Sequence, residues 1–251
     1  MTKKSKKGTA LIAALFGASA LLLAGSGIGA ARAIAQYSSD TYQAELSMQN
    51  IGVTLNENGT PVSSRNYSES AGGMVSTHNS DLLTKLLGEG EKFQVNHEYD
   101  EQLTVTNSGD IDTYVRVVLD LYWLKADGSG KETSLSPQLI KLELGDGWLV
   151  DNSCSYVQGT GEQLILYYPT VLASGATSSP ICDGIAIDGK IRSKVTQTEE
   201  DGIITTTYDY DGVSFAIDAE VDAIQTHNAS DAALSAWGEN VTVSGDTLSL
   251  N

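Results

Sequence analysis

Apolar and polar side chains alternate with a period of two along much of this chain, which is typical of β-strands that have one buried face. In residues 113–123 every odd position from Val115 onward is apolar. Residues 213–224 repeat the pattern, with apolar side chains at the odd positions up to Ala223. We predict two core strands, each with one face in the core and one in solvent. The predicted solvent faces hold Arg116, Asp120, Ser214, Asp218, Glu220 and Asp222.

Residues 42–55 alternate in two successive phases, which indicates a strand interrupted by a bulge near Asn50. Shorter strands are predicted at 93–97, 102–106, 139–144, 163–168, 185–187 and 203–208. Residues 56–78 are rich in Asn, Ser and Gly, so we interpret them as a long surface loop. The first phase of 42–55 consists of Tyr42, Ala44, Leu46 and Met48, and the second of Ile51, Val53 and Leu55.

Asn-Gly and Asp-Gly pairs separate the predicted strands, and such pairs favour tight hairpin turns. Two short helices are predicted at 81–87 and 230–237, because each segment follows a capping residue and ends before a glycine. The pattern as a whole predicts an all-β fold, an antiparallel jelly-roll-like β-sandwich with two short helices. The turn pairs are Asn58-Gly59, Asp127-Gly128, Asp146-Gly147, Asp201-Gly202 and Asp211-Gly212.

Residues 1–35 are predicted to be a signal peptide, because the basic start of the chain precedes the uncharged and mostly apolar residues 9–24. Cleavage is expected after Ala33 or Ala35, since Ala31 and Ala33 supply the small residue two positions earlier. Residues 36–251 then form a single exported domain, secreted or on the cell surface, with no stable membrane anchor.

The alternative for the first residues is an uncleaved anchor, because residues 9–31 carry no charge and are long enough to span a bilayer. Three glycines within residues 25–29 weaken a helix at its end, where a cleavage site needs an extended chain. The glycines therefore favour cleavage.

The charge of the chain limits its partners. There are 32 acidic and 15 basic residues, for a formal net charge of −17, and removal of residues 1–35 takes away five bases and no acid, leaving −22. An acidic surface of this kind repels phosphate backbones, so the composition argues against nucleic-acid binding. With 41% hydrophobic and 19% charged residues, the composition is that of a folded chain rather than a disordered acidic tail.

The only two cysteines are Cys154 and Cys182. In an exported chain two cysteines are commonly joined by a structural disulfide. Exported proteins of bacteria with a single membrane often avoid disulfides, so a pair of buried, unreactive thiols is the alternative. The sequence leaves both states open.

Residues with catalytic or metal-binding chemistry are few. The three histidines, His78, His97 and His227, are scattered, and the chain has no HExxH, GxSxG, phosphate-loop or dinucleotide motif. The acidic pair Asp110 and Asp112, like residues 209 and 211, could supply hard oxygen ligands for calcium. We interpret both pairs instead as turn and capping residues. The sequence therefore assigns no catalytic residue, metal or cofactor.

Several segments resemble the TasA and camelysin family of exported bacterial proteins, whose leaders are cut by the signal peptidase SipW. The leader end Gly29-Ala30-Ala31-Arg32-Ala33 is similar, as are residues 50–59 and the strand residues 166–168. Residues 103–117 resemble the family pattern V-x-N-x-G-x-x-x-x-Y-V-R-V. Residues 223–229 with Ser235-Ala236-Trp237-Gly238 resemble the most specific motif, the QTHNA and SAWG ending of one branch.

The resemblance implies a jelly-roll sandwich at the cell surface, whose partners are copies of itself or related matrix subunits in biofilm fibres. Such fibres grow by β-augmentation, in which an N-terminal strand inserts into the sheet of the next subunit. Here the donor would be residues 36–48, although the alternation of Tyr42, Ala44, Leu46 and Met48 suits an ordinary first strand equally well. The alternatives are a secreted metallopeptidase of the camelysin kind and a monomeric surface protein that binds another matrix component.

The motif residues also have structural interpretations. We expect residues 225–228 to form a strand-to-helix junction, with Asn228 as the helix cap and Trp237 packing the helix against the sandwich. Arg116 is expected to form an ion pair or brace a turn, near Asp110 and Asp112 in the sequence.

Overall fold

The alternating segments form two antiparallel β-sheets that contribute side chains to one hydrophobic core. A computed structural model describes residues 50–68, 71–78, 82–83, 86–87 and 93–251, all within one contact unit of the chain. The all-β, sandwich-like class predicted from the sequence is confirmed. No helix among these residues is long and apolar enough to cross a membrane.

The first sheet has six strands in the order β3-β2-β1-β4-β9-β6, all antiparallel to their neighbours. Its turn between β1 and β2 is the predicted Asn58-Gly59 pair, with φ angles of 48° and 78° that suit a two-residue hairpin. The strands are β1 (Gly52–Glu57), β2 (Thr60–Ser68), β3 (Gly73–His78), β4 (Glu98–Asn107), β6 (Ile140–Leu144) and β9 (Cys182–Ile187).

The second sheet has four strands in the order β12-β5-β8-β7. Its two longest strands are the predicted core pair, which run antiparallel over twelve residues each. The strands are β5 (Thr113–Leu124), β7 (Leu149–Val150), β8 (Gln163–Tyr167) and β12 (Ser214–Gln225). Short helical segments lie between strands: the α-helices α1 (Ser155–Gln158) and α2 (Ala229–Trp237), and 3₁₀ turns at Pro137–Leu139 and Gly189–Ser193.

The main core lies between the two sheets and uses the apolar phase of the strands. Val53 and Leu55 of β1 are fully buried in the same cluster as Val117 and Leu119 of β5. Period-two alternation in both sheets therefore produces one continuous apolar layer, as the sequence predicts.

A smaller apolar cluster covers the outer face of the second sheet at one end. Tyr114 and Tyr167 of the sheet pack there against Ala229 and Ala233 of α2. The C-terminal hairpin, β13 (Val241–Ser244) and β14 (Thr247–Leu250), adds Val241 and Leu248. The predicted packing of the C-terminal helix against the sandwich is thus confirmed. Asn228 occupies the N-cap position, but in a left-handed conformation with a φ of 52° and without the expected capping hydrogen bond from its side chain.

Another hairpin stands apart from both sheets. It consists of β10 (Val195–Glu200) and β11 (Ile203–Tyr208), joined by the predicted Asp201-Gly202 turn. All twelve strand residues are exposed, so the hairpin contributes nothing to either core.

The loop predicted for residues 56–78 is wrong, because β2 and β3 occupy most of it. These strands carry few apolar residues and are held by main-chain pairing to β1 and to each other, which hydrophobic alternation does not report. The pairing of β1 with β2 is irregular between Leu55 and Asn56, where Val62 is the extra residue on β2. The bulge predicted near Asn50 remains a prediction. Residues 42–49 of the predicted first strand lie outside the described residues.

Two further predictions differ from the structure. The helix expected at 81–87 is not found in its described residues, because Leu83 has a φ of 73° and lies in a turn. The strand expected at 93–97 is a turn with Asn96 at a φ of 62°, and β4 begins only at Glu98. In both segments local backbone geometry overrides the apolar pattern.

Candidate functional site

The most prominent open feature of the sandwich is the outer edge of β12. No described strand pairs with this edge, although β12 is twelve residues long. A groove of about 390 Å³ lies against β12, lined by apolar side chains such as Val62, Leu82 and Ile217 and by as many polar ones from β2, β5, β8 and β12. Asp218 and Glu220 are among its lining residues and are exposed. An unpaired edge with apolar side chains beside it is suited to accept an added strand.

An ion cluster anchors β12 next to this groove. Asp222 is paired with Arg116 directly across the sheet, with 2.6 Å between Oδ2 and Nη2, and its other carboxylate oxygen accepts from Arg65 of β2. Arg116 also donates to the main-chain oxygen of Trp237 and lies over its ring, 5.5 Å from the centroid. The cluster therefore joins the two sheets and α2.

The predictions for Asp222 and Arg116 can be compared with this cluster. Asp222 was expected in solvent but is only 7% exposed, because Arg65, Arg116 and the helix end cover that part of the outer face. Arg116 does form an ion pair, as expected, but its partner comes from β12 rather than from the acids near it in the sequence.

The turn between β4 and β5 fixes the start of β1. The side chain of Asn107 is buried and donates to the main-chain oxygens of Ile111 and Leu172, each at 2.8 Å. Gly109 donates to the main-chain oxygen of Gly52, and a Cβ at Gly109 would lie 2.5 Å from the carbonyl oxygen of Asn50. The N-x-G part of the sequence motif is therefore needed for a close main-chain approach, at the point where the chain enters the sandwich.

The residues predicted to take part in export and strand donation lie outside the described residues. These are Ala31, Ala33 and Ala35 near the cleavage point, and Tyr42, Ala44, Leu46 and Met48 of the donor segment. Residues 36–48 precede Asn50, so a donor segment would leave the sandwich at the β4–β5 turn.

A pair of buried carboxyl groups lies at the opposite end of β1, in the first sheet. Glu57 is 6% exposed and Glu101 of β4 is 2% exposed, and both occupy the inward-facing phase of their strands. The Glu57 carboxylate accepts from the main-chain N–H of Leu83, and Asn58 donates to Oε2 of Glu101 at 3.2 Å. Oε1 of Glu101 has no donor among the described groups.

Protonation of Glu101 removes the repulsion between two neighbouring carboxylates. Burial, followed by the charge of Glu57 and a hydrogen bond to it, raises the pKa of Glu101 to about 7. A proton on Glu101 lets it donate to Glu57, so that the pair carries one negative charge instead of two. The sequence analysis missed this pair, although both acids stand in phase with apolar neighbours, which is the signal that could have found them.

Both cysteines are buried free thiols in the structure, which is the second of the two states left open by the sequence. Cys182 lies beside the carboxyl pair, where its thiol donates to the main-chain oxygen of Glu101 at 3.4 Å. Burial raises the pKa of the Cys182 thiol to about 12, so it is not nucleophilic at neutral pH.

The acidic residues considered for calcium brace turns. Asp110 accepts from the side chain of Asn50 at 3.2 Å, and Asp112 accepts from the main chain of Ser174 at 3.1 Å. Asp209 accepts from Thr196 at 2.8 Å. Within the described ranges, no group of three His, Cys, Asp or Glu side chains comes together in a way that could hold a metal ion.

The chain was compared with protein families, curated proteins and solved structures. No family model matches the chain. No curated protein and no solved structure matches it either. The site is therefore interpreted from its own geometry and from the sequence motifs.

Proposed function

We propose that this protein is an exported, non-enzymatic structural subunit of a cell surface or biofilm matrix. It assembles with copies of itself when residues 36–48 of one copy add to a sheet edge of the next. The observation that carries the proposal is the unpaired outer edge of β12, with the groove lined by Val62, Leu82 and Ile217 beside it. The motifs similar to TasA-like proteins and the signal-peptide pattern support the same function.

The apolar pattern of residues 36–48 suits pairing beside the apolar side chains of the groove. Tyr42, Ala44, Leu46 and Met48 fall on one face of an extended strand, which could enter the groove while the main chain pairs with β12. Both segments carry acids, since Asp40 and Glu45 would approach the acids that line the groove. We therefore expect assembly to be faster in moderate salt, which screens repulsion between exposed charges.

Electron microscopy of the chain beginning at Gln36, beside a chain beginning at Gln49, tests the proposal. We expect fibres only from the longer chain, while circular dichroism shows the same β-rich fold for both. Leu46→Asp should prevent fibres, because it places a charge on the apolar face of the donor. Ser47→Asp is the matched control on the other face and should still assemble.

Fibres of unchanged abundance from the shorter chain would contradict strand donation by residues 36–48. Dispersed monomers from both chains would contradict a matrix subunit and favour a surface binding protein. Casein hydrolysis that a chelator abolishes would instead favour the metallopeptidase alternative.

A further inference from the structure

The exposed hairpin of β10 and β11 has features that are typical of a protein–protein contact. Both of its outer edges are unpaired by any described strand. Ile203, Ile204 and Tyr208 are 68%, 64% and 58% exposed. A two-stranded hairpin with both faces in water is only marginally stable, whereas a sheet of four strands is not.

The charges of β10 are arranged from one end to the other. Lys194 comes directly before the strand, and Lys190 and Arg192 lie in the 3₁₀ turn that precedes it; they are three of the ten bases that follow residue 35. Glu199 and Glu200 are the last two residues of the strand. The strand therefore follows a basic segment and has an acidic end.

We propose that a second copy of this chain pairs with β10, so that two hairpins form one four-stranded antiparallel sheet around a two-fold axis. Antiparallel pairing of a strand with itself places its start beside its end. For β10 this brings opposite charges together at both ends of the contact. With the axis at Gln197, Lys194 lies opposite the partner's Glu200, and the same pair recurs at the other end.

The same register places apolar side chains of both copies on one face of the sheet. Val195, Ile204 and Tyr208 fall on one face of the hairpin, because Val195 pairs with Tyr208 and Ile204 pairs with Glu199. In the four-stranded sheet the two copies present these side chains on a common face. Across the new contact Val195 lies opposite the partner's Glu199, whose aliphatic stem packs beside it.

The outer edge of β11 is a poorer site for the same contact. Asp201 precedes β11, and Asp209 and Asp211 follow it. Self-pairing of β11 would place acids beside acids at both ends, which is destabilising. The charge pattern thus selects β10 as the edge that is paired.

A cysteine scan of the hairpin in the chain beginning at Gln36 tests the contact. Gln197→Cys places a thiol on the proposed two-fold axis, where opposite Cα atoms are close enough for a disulfide. We expect mild oxidation to give at least about tenfold more disulfide-linked dimer than for Thr206→Cys, which is the matched exposed position on β11. The native cysteines are buried and should not contribute.

Charge exchange then tests the register. In the Gln197→Cys background, Lys194→Glu alone and Glu200→Lys alone should each abolish the dimer, and the two together should restore it. Lys125→Glu is the control for an equal change of net charge elsewhere. Circular dichroism checks that each variant is folded.

The outcomes separate this contact from strand donation, since residues 36–48 take no part in it. A Gln197→Cys dimer that persists in a chain beginning at Gln49 supports the hairpin contact whether or not fibres form. Fibres from a chain that gives no Gln197→Cys dimer would overturn the hairpin contact and leave the proposed function standing. A stronger dimer from Thr206→Cys would also overturn it, in favour of the β11 edge.

Discussion

Two of the buried acids in this sandwich, Asp222 and Glu101, have opposite surroundings. Asp222 lies on the outer face of the second sheet between two arginines, and its carboxylate is neutralised by ion pairs. Glu101 lies on the inner face of the first sheet beside Glu57, with no cation among its contacts. The first acid is an ion-paired anion, whereas the pKa of the second is raised to about 7, so it binds a proton far more readily than an exposed glutamate. Burial alone therefore does not predict the charge of an acid, which depends on what the neighbouring strand brings.

The largest loss of stability is expected on substitution of Asp222. Asp222→Asn leaves the largely buried Arg116 without its charge partner, so we expect the free energy of unfolding to fall by about 3–5 kcal/mol. Urea denaturation followed by tryptophan fluorescence measures this loss. Asp218→Asn, exposed on the same strand, should cost less than about 1 kcal/mol. Equal losses for the two variants would show that the arginine cluster contributes no special stability.

The carboxyl pair should make stability depend on pH in the opposite direction from an ion-paired acid. The pKa of Glu101 is raised from 4.5 to about 7, so the folded state holds the proton more tightly than the unfolded chain. The stability due to this proton is complete below pH 4.5 and is lost as pH rises through about 7, a change of about 3 kcal/mol at most.

Glu101→Gln tests this dependence, because the amide can donate to Glu57 as the protonated acid does. We expect the variant to lose the decline between pH 4.5 and 7 and to be more stable than the native chain at pH 8. Urea denaturation across that range provides the measurement. Glu199→Gln in the exposed hairpin should keep the native profile. A native-like decline in Glu101→Gln would assign the proton to another group.

A smaller effect is expected where the helix covers the ion cluster. The Trp237 ring lies 5.5 Å from the Tyr167 ring and the same distance from the Arg116 guanidinium. Because the side chain is only partly buried, Trp237→Ala should lower the unfolding free energy by about 2–3 kcal/mol, below the usual cost of a fully buried tryptophan. Leu234→Ala, which is 51% exposed on the same helix, should cost about 0.5 kcal/mol or less.

The last prediction concerns the reactivity of the two cysteines and needs no substitution. A chromogenic thiol reagent at pH 8 should find no reactive thiol in the folded chain, because Cys154 and Cys182 are buried. In urea without reductant it should find two thiols per chain. No thiol in urea would show that Cys154 and Cys182 form a disulfide and would contradict the free state.

The hydrophobic pattern and the turn pairs predicted some elements of the fold but not the polar strands. The core strands β5 and β12, the turns at Asn58-Gly59 and Asp201-Gly202, and the C-terminal helix were predicted because each has a local signal. Strands β2 and β3 were missed because their side chains are mostly polar. They are held by main-chain hydrogen bonds, β2 to β1 and β3 to β2, and such bonds do not appear in the hydrophobic pattern.

The sequence by itself determined the strand periodicity, the acidic net charge and the order of bases followed by acids over residues 190–201, since these are properties of neighbouring residues. Only the tertiary structure decided that Asp222 meets Arg116 and that Glu101 meets Glu57. Those partners are 106 and 44 residues apart in the chain, and strand register alone brings them within hydrogen-bonding reach. A shift of one residue in either register would turn these side chains to opposite faces, so each buried acid would lose its partner.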